Sequence, residues 1–112
     1  MLTFNLKKEW FEKIKSGEKT HEYREYKPYW EKRIKKELGL RNEDFLYSLN
    51  SIPYQVKYRK MTHPKIQFVK GYNPKNGILF AILTDIKITS GLNTDLKIDK
   101  PVYDIEFELI KE

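Results

Sequence analysis

Residues 17–24, GEKTHEYR, bring an ammonium, a carboxylate and a guanidinium close together in the chain at Lys19, Glu22 and Arg24. In an extended backbone alternate side chains share a face. Thr20, Glu22, Arg24 and Tyr26 therefore point one way, and Lys19, His21, Tyr23 and Glu25 the other. A carboxylate beside a guanidinium on one face fixes both groups and keeps the arginine's remaining donors aimed outward. Lys19 stands at the strand entrance beside the Gly17 turn, from which its ammonium can swing towards the same side. A strand with one buried face must partly desolvate one of the two sets, which is the physical reason to look for a site here. The chemistry open to the trio is anion binding, or hydrolysis with Glu22 as general base and Lys19 or Arg24 stabilising an oxyanion or phosphorane. The competing reading is an edge strand protected by its charges.

The elements that must position these residues follow from hydrophobic periodicity. Leu2, Phe4 and Leu6 alternate, as in a first strand. Trp10, Phe11 and Ile14 form the apolar stripe of a helix over 8–16 that stops at Gly17, a residue tolerant of positive φ. Lys13 and Lys15 lie in its last turn, where cations suit the helix dipole. Residues 19–26 read as a strand ended by Pro28. Trp30, Ile34 and Leu38 then mark a second helix ending at Gly39, and the spacing assigns Trp10 and Trp30 to the core. Asn42 is placed as the cap of a short helix carrying Phe45, Leu46 and Leu49 before Pro53. Tyr54, Val56 and Tyr58 alternate, 65–70 is a strand, and 73–77 is a turn cluster. Residues 78–89 begin apolar on both faces, as a central strand does. Residues 91–101 read as the mobile loop. Tyr103, Ile105, Phe107 and Leu109 alternate with Asp104, Glu106 and Glu108, the cleanest strand pattern in the chain. Clustered rather than alternating elements give an α+β class, with a mixed, mostly antiparallel sheet or small barrel, in a single domain over 1–112.

Composition narrows the function. A length of 112 residues suits one domain with a modest core. The absence of cysteine excludes thiol catalysis, cysteine–zinc sites and disulfides. With no apolar leader at the N-terminus and no segment long enough to span a bilayer, the expectation is a soluble cytoplasmic domain. Residues 1–77 carry 18 Lys+Arg against 9 Asp+Glu, and residues 78–112 carry 4 against 7, which together give the net charge of +6. Such a polarised, basic chain attracts phosphates. His21 and His63 are the only histidines and neither has a second at ligand spacing, so no metal is expected. Gly71 and Gly77 lack the pattern of a phosphate loop or dinucleotide fingerprint, and no cofactor is expected. The Lys-rich helix over 30–37 has no bulky apolar residues beyond its core stripe, which argues against a membrane surface.

Gly17, Lys19, Glu22 and Arg24 occupy the four fixed positions of GxKxxExR, and here the chain resembles the ASCH domain family. The surrounding KKEWFEKIKSGEKTHEYR, the following KPYWEKRI and the later IQFVKGY resemble small bacterial and phage members. The resemblance covers residues 1–37 well and 64–90 more loosely, and makes 40–62 an insertion of this branch. It implies a PUA-like fold, a small β-barrel with flanking helices, and a cleft where the signature meets the later strands. It also implies RNA binding, with hydrolysis of RNA or acylated nucleosides in some branches. In the branch that acts on N4-acetylcytidine, a threonine stands where this chain has Glu22. Lys19 matches that branch and Glu22 does not, so its mechanism does not carry over.

RNA recognition needs cations for the backbone and flat side chains on which bases stack. The expected function is therefore binding of RNA, or of a nucleoside or nucleotide, through Arg24, Lys27, Tyr29, Arg33, Lys70 and Tyr72. Lys57, Arg59, Lys60, Tyr26, Tyr54 and Tyr58 extend the same mixture. The alternative is a hydrolase, either a metal-independent ribonuclease or an amidohydrolase of acylated nucleosides, with Lys19 and Glu22 as the catalytic pair.

Overall fold

The computed structural model describes residues 1–38, 45–47, 56–58 and 63–111, with backbone alone for 38, 45–47 and 56–58. β1 (Leu2–Leu6) buries Leu2, Phe4 and Leu6 on one face. The helix α1 (Lys8–Lys15) buries Phe11 and Ile14. Its end is fixed by Gly17 at φ +84°, whose N–H donates to the Ile14 carbonyl at 3.0 Å. Only glycine adopts that angle at little cost. β2 (His21–Glu25) follows, and then α2 (Pro28–Leu38). Pro28 opens α2, at the position where a missing N–H costs nothing. Gly39, Asn42, Leu49, Pro53, Tyr54, Arg59 and Lys60 lie outside the described residues.

The chain continues as β3 (Phe45–Tyr47), β4 (Val56–Tyr58), β5 (Lys65–Lys70), β6 (Ile78–Ser90) and β7 (Pro101–Leu109). The expected helix carrying Phe45 and Leu46 is instead β3, paired antiparallel to β4. A short apolar run does not separate helix from strand by period, and here pairing with β4 decides. Residues 73–77 form the expected turn, a 3₁₀ helix over Pro74–Asn76 whose first N–H groups are capped by Asn73.

The result is a small α+β protein in which five strands, β1-β5-β6-β7-β2, curl into a mixed half-barrel, with β4 and β3 added on β6 and two helices. β1 and β5 are parallel, and every other pair is antiparallel. β6 is the central strand. Its first half pairs with β5, and most of its length pairs with β7. A bulge between Leu83 and Asp85 bends it, and beyond the bulge Lys87 pairs with Lys57 of β4. Inside the curl, Phe4 lies 5.9 Å from Phe68, and Phe68 lies 4.7 Å from Phe107. Ile14 and Ile34 reach this core from the helices. Among the described residues no helix is long and apolar enough to cross a membrane.

One register detail departs from the alternation of β7. Asp104 is buried rather than facing water, because β2 lies against β7 and brings His21 Nδ1 to 2.7 Å from Asp104 Oδ1.

Candidate functional site

β1 and β2 are the two edges of the curled sheet, and the seam between them is the site. β1 pairs with β5 on one side only, and across the seam on its other side the Asn5 carbonyl accepts from Arg24 Nη2 at 3.3 Å. The Arg24 guanidinium also lies over the rings of Phe4 (4.9 Å) and Trp30 (5.2 Å). Above this strut opens a cleft of about 640 Å³, lined from β1, β2, both helices and the loop before β7.

Glu22 is the centre of the electrostatics. Only 5% of the residue is exposed. Its Oε1 accepts the Tyr23 N–H at 2.9 Å and lies 3.3 Å from Arg24 Nη1 and 3.5 Å from Lys19 Nζ. Its Oε2 is buried with no hydrogen-bond partner among the described residues. Glu22 and Arg24 share a face as the alternation requires. Arg24, however, spends its donors on the protein, with Nη1 also donating to the Tyr23 carbonyl at 2.8 Å. Burial lowers the affinity of its guanidinium for the proton, and the Glu22 carboxylate opposes that effect.

Lys19 does swing into the seam from its place before β2. Its side chain is only 9% exposed. The ammonium lies 4.9 Å from the Trp10 ring and 5.3 Å from the Tyr23 ring, and it contacts the carboxylate of Asp95. Asp95 carries no local sequence signal, since it lies in a turn-rich loop 76 positions further along the chain. Lys7 and Asn5, which also line the cleft, were likewise unmarked. Trp10 and Trp30 pack against the core as their spacing implies, and each also lines the cleft.

Of the remaining predicted residues, Lys27, Tyr29, Arg33 and Tyr72 all line the cleft. Arg33 Nη1 donates to the Tyr29 hydroxyl at 3.0 Å, and its guanidinium sits over Tyr29 and Trp30. Tyr29 is 56% exposed and Tyr72 91%. Among the described residues Lys7, Lys27 and Arg33 have no carboxylate partner, so the rim of the cleft is cationic and aromatic. Lys70 does not line the cleft; it donates to Glu12 Oε1 at 2.9 Å, which holds the Glu12 carboxyl below its ordinary range. Gly17 acts through the turn alone. Tyr26 stands edge-on to the buried Tyr103 at 5.3 Å.

A second cavity of about 280 Å³ shares Trp10, Lys19, Tyr23 and Asp95 with the cleft and adds Lys13, Glu18, Thr20 and His21. His63 lines neither cavity; its Nδ1 lies 3.2 Å from the Leu83 carbonyl oxygen. No group of three or more His, Asp or Glu side chains converges to hold a metal among the described residues.

Tyr23 supplies a pH test of this geometry. Burial, with Asp104, Asp95 and Glu22 adding negative charge, pushes its phenol up to about 12. An unfolded tyrosine ionises near pH ~10, so between about 10 and 12 the unfolded chain releases a proton that the folded chain keeps. Stability should therefore fall as pH rises through that window. Urea midpoints of Tyr23→Phe should fall less than those of the parent over the same range. Parallel curves would remove the environment assigned to Tyr23.

Neither a family model, nor a curated protein, nor a solved structure matches the chain, so its site is read from its own geometry.

Proposed function

We propose that the chain binds RNA or a nucleotide in the seam cleft, as a PUA-like protein of the ASCH type acting in the cytoplasm. The observation that carries this reading is the cleft's division of labour. Its floor is a charge-neutralised set, with Lys19, Glu22 and Arg24 largely out of solvent and the exposed Asp95 closing on Lys19. Its rim pairs exposed tyrosines, Tyr29 and Tyr72, with cations that make no salt bridge among the described residues. Bases stack on aromatic faces whatever their sequence, and phosphates are drawn to such cations. The GxKxxExR spacing supports the same reading, because Glu22 and Arg24 lock the seam on which the cleft depends.

Titrating a fluorescent single-stranded oligoribonucleotide tests it by anisotropy. Binding should weaken steeply with salt. Tyr29→Ala should lose about 1–3 kcal/mol, the worth of one stacked base. Salt-independent affinity, or full affinity without Tyr29, would count against an RNA cleft. Chromatography of the same mixtures, with acylated nucleosides included, reports hydrolysis. Turnover lost on Lys19→Ala or Glu22→Ala would make the protein an enzyme.

A further inference from the structure

We infer that Lys19 is the phosphate subsite of this cleft and that Asp95 occupies it as an internal anion until a ligand phosphate displaces it. The inference rests on the nucleotide-binding reading and adds which cation receives the phosphate and what competes for it.

A buried ammonium needs an anion beside it. Lys19 has two carboxylates within reach, and they differ in kind. Glu22 Oε1 is committed to the Tyr23 N–H and to Arg24, on a strand locked against β7. Asp95 is 36% exposed at its side chain and comes from the loop between β6 and β7. The base of that loop is fixed. The Gly91 N–H donates to the Lys100 carbonyl at 2.8 Å, and Thr94 Oγ1 donates to the Gly91 carbonyl at 2.8 Å. A side chain at Gly91 would come within 2.7 Å of Ile98, so the two ends of the loop are pressed together. Beyond Thr94 the chain is held by local bonds to Thr94, whose Oγ1 accepts the Leu96 N–H at 3.2 Å and whose carbonyl accepts the Lys97 N–H at 3.2 Å. Leu96 is exposed, and Lys97 takes φ +52°, a left-handed conformation that L residues rarely adopt. Asp95 thus sits in an exposed turn, two residues before a left-handed residue, on a loop whose base is closed by hydrogen bonds.

Asp95 and Lys19 also form the wall shared by the cleft and the second cavity. Moving Asp95 aside frees the ammonium between the Trp10 and Tyr23 rings, at the boundary where the two cavities share these residues. A phosphate oxygen replaces a carboxylate oxygen there without loss of the charge-assisted hydrogen bond. The phosphate could belong to a free nucleotide or to an RNA backbone, and the probes must separate these sources.

The experiment compares the parent, Asp95→Asn and Asp95→Asn/Lys19→Gln by calorimetry. The probes are inorganic phosphate, a ribonucleoside 5′-monophosphate, the matching ribonucleoside, and an oligoribonucleotide with internal phosphates only. If Asp95 holds Lys19 about nine-tenths of the time, its removal should tighten phosphate-bearing probes about tenfold. The ribonucleoside should bind unchanged, and Lys19→Gln should cancel the gain. A gain for the monophosphate alone assigns a terminal phosphate; a gain for the oligonucleotide assigns the backbone. Glu25→Gln, which removes another cleft carboxylate, controls for net charge and should not reproduce the effect. Equal or weaker phosphate binding by Asp95→Asn, or an equal gain with Glu25→Gln, overturns the inference. RNA binding with no gain on Asp95→Asn for any phosphate-bearing probe would sink the subsite and leave the RNA reading intact. A phosphate gain without any RNA binding would do the reverse.

Discussion

Glu22→Ala should lower the stability of the fold by about 3–5 kcal/mol, the loss expected when one partner of a buried ion pair is removed. The carboxylate is the shared counter-charge of two largely buried cations, Lys19 and Arg24. Without it Arg24 remains desolvated over Phe4 and Trp30 with only carbonyl acceptors. The Tyr23 N–H also loses its acceptor. Asp95 still neutralises Lys19, which places the loss towards the lower end of the range. Glu22→Gln should cost less, since its amide oxygen still accepts the Tyr23 N–H. Urea denaturation measures all of this, with the exposed Glu18→Ala as a control expected within about 0.5 kcal/mol of the parent. A Glu22→Ala midpoint equal to the parent's would mean that the seam is not held by this charge cluster.

Replacing Lys7, Lys27 and Arg33 together by alanine should weaken single-stranded RNA binding about a hundredfold near 0.1 M salt. Each phosphate neutralised on a single strand contributes about 0.7 to the slope of log affinity against log salt. Three such contacts amount to about 2 in the slope, hence about two decades of affinity at one-tenth molar salt. These three are chosen because they line the cleft without a carboxylate partner among the described residues. Lys70, tied to Glu12, should matter far less. Anisotropy titrations across salt concentrations give the slopes directly. A triple variant with the parent's slope would mean that phosphates do not meet this rim. The fold should survive these changes, because none of the three side chains belongs to the core.

The chemistry of the opening stretch was legible because strands repeat every two residues. That period alone put Glu22 and Arg24 on one face, and Gly17 marked the helix end that delivers Lys19 to it. The same rule identified β1 and most of β7, whose apolar residues alternate, while the run apolar on both faces marked β6 as a central strand. It failed where the run was short, at Phe45–Tyr47, since three residues cannot distinguish a period of two from one of 3.6. It failed again at Asp104, whose burial depends on β2 lying across β7 and on His21 standing beside it.

The sequence by itself determined most of the local elements, and that a carboxylate and a guanidinium would share a face of β2 with an ammonium at its entrance. Only the tertiary structure decided which charges remain available. Curling brings the edge strands β1 and β2 together, so that Arg24 becomes a strut to Asn5. The loop before β7 brings Asp95 to Lys19, and α1 brings Glu12 to Lys70. A charge's availability depends on distance through space to its nearest counter-charge, and between separate elements separation along the chain does not fix that distance.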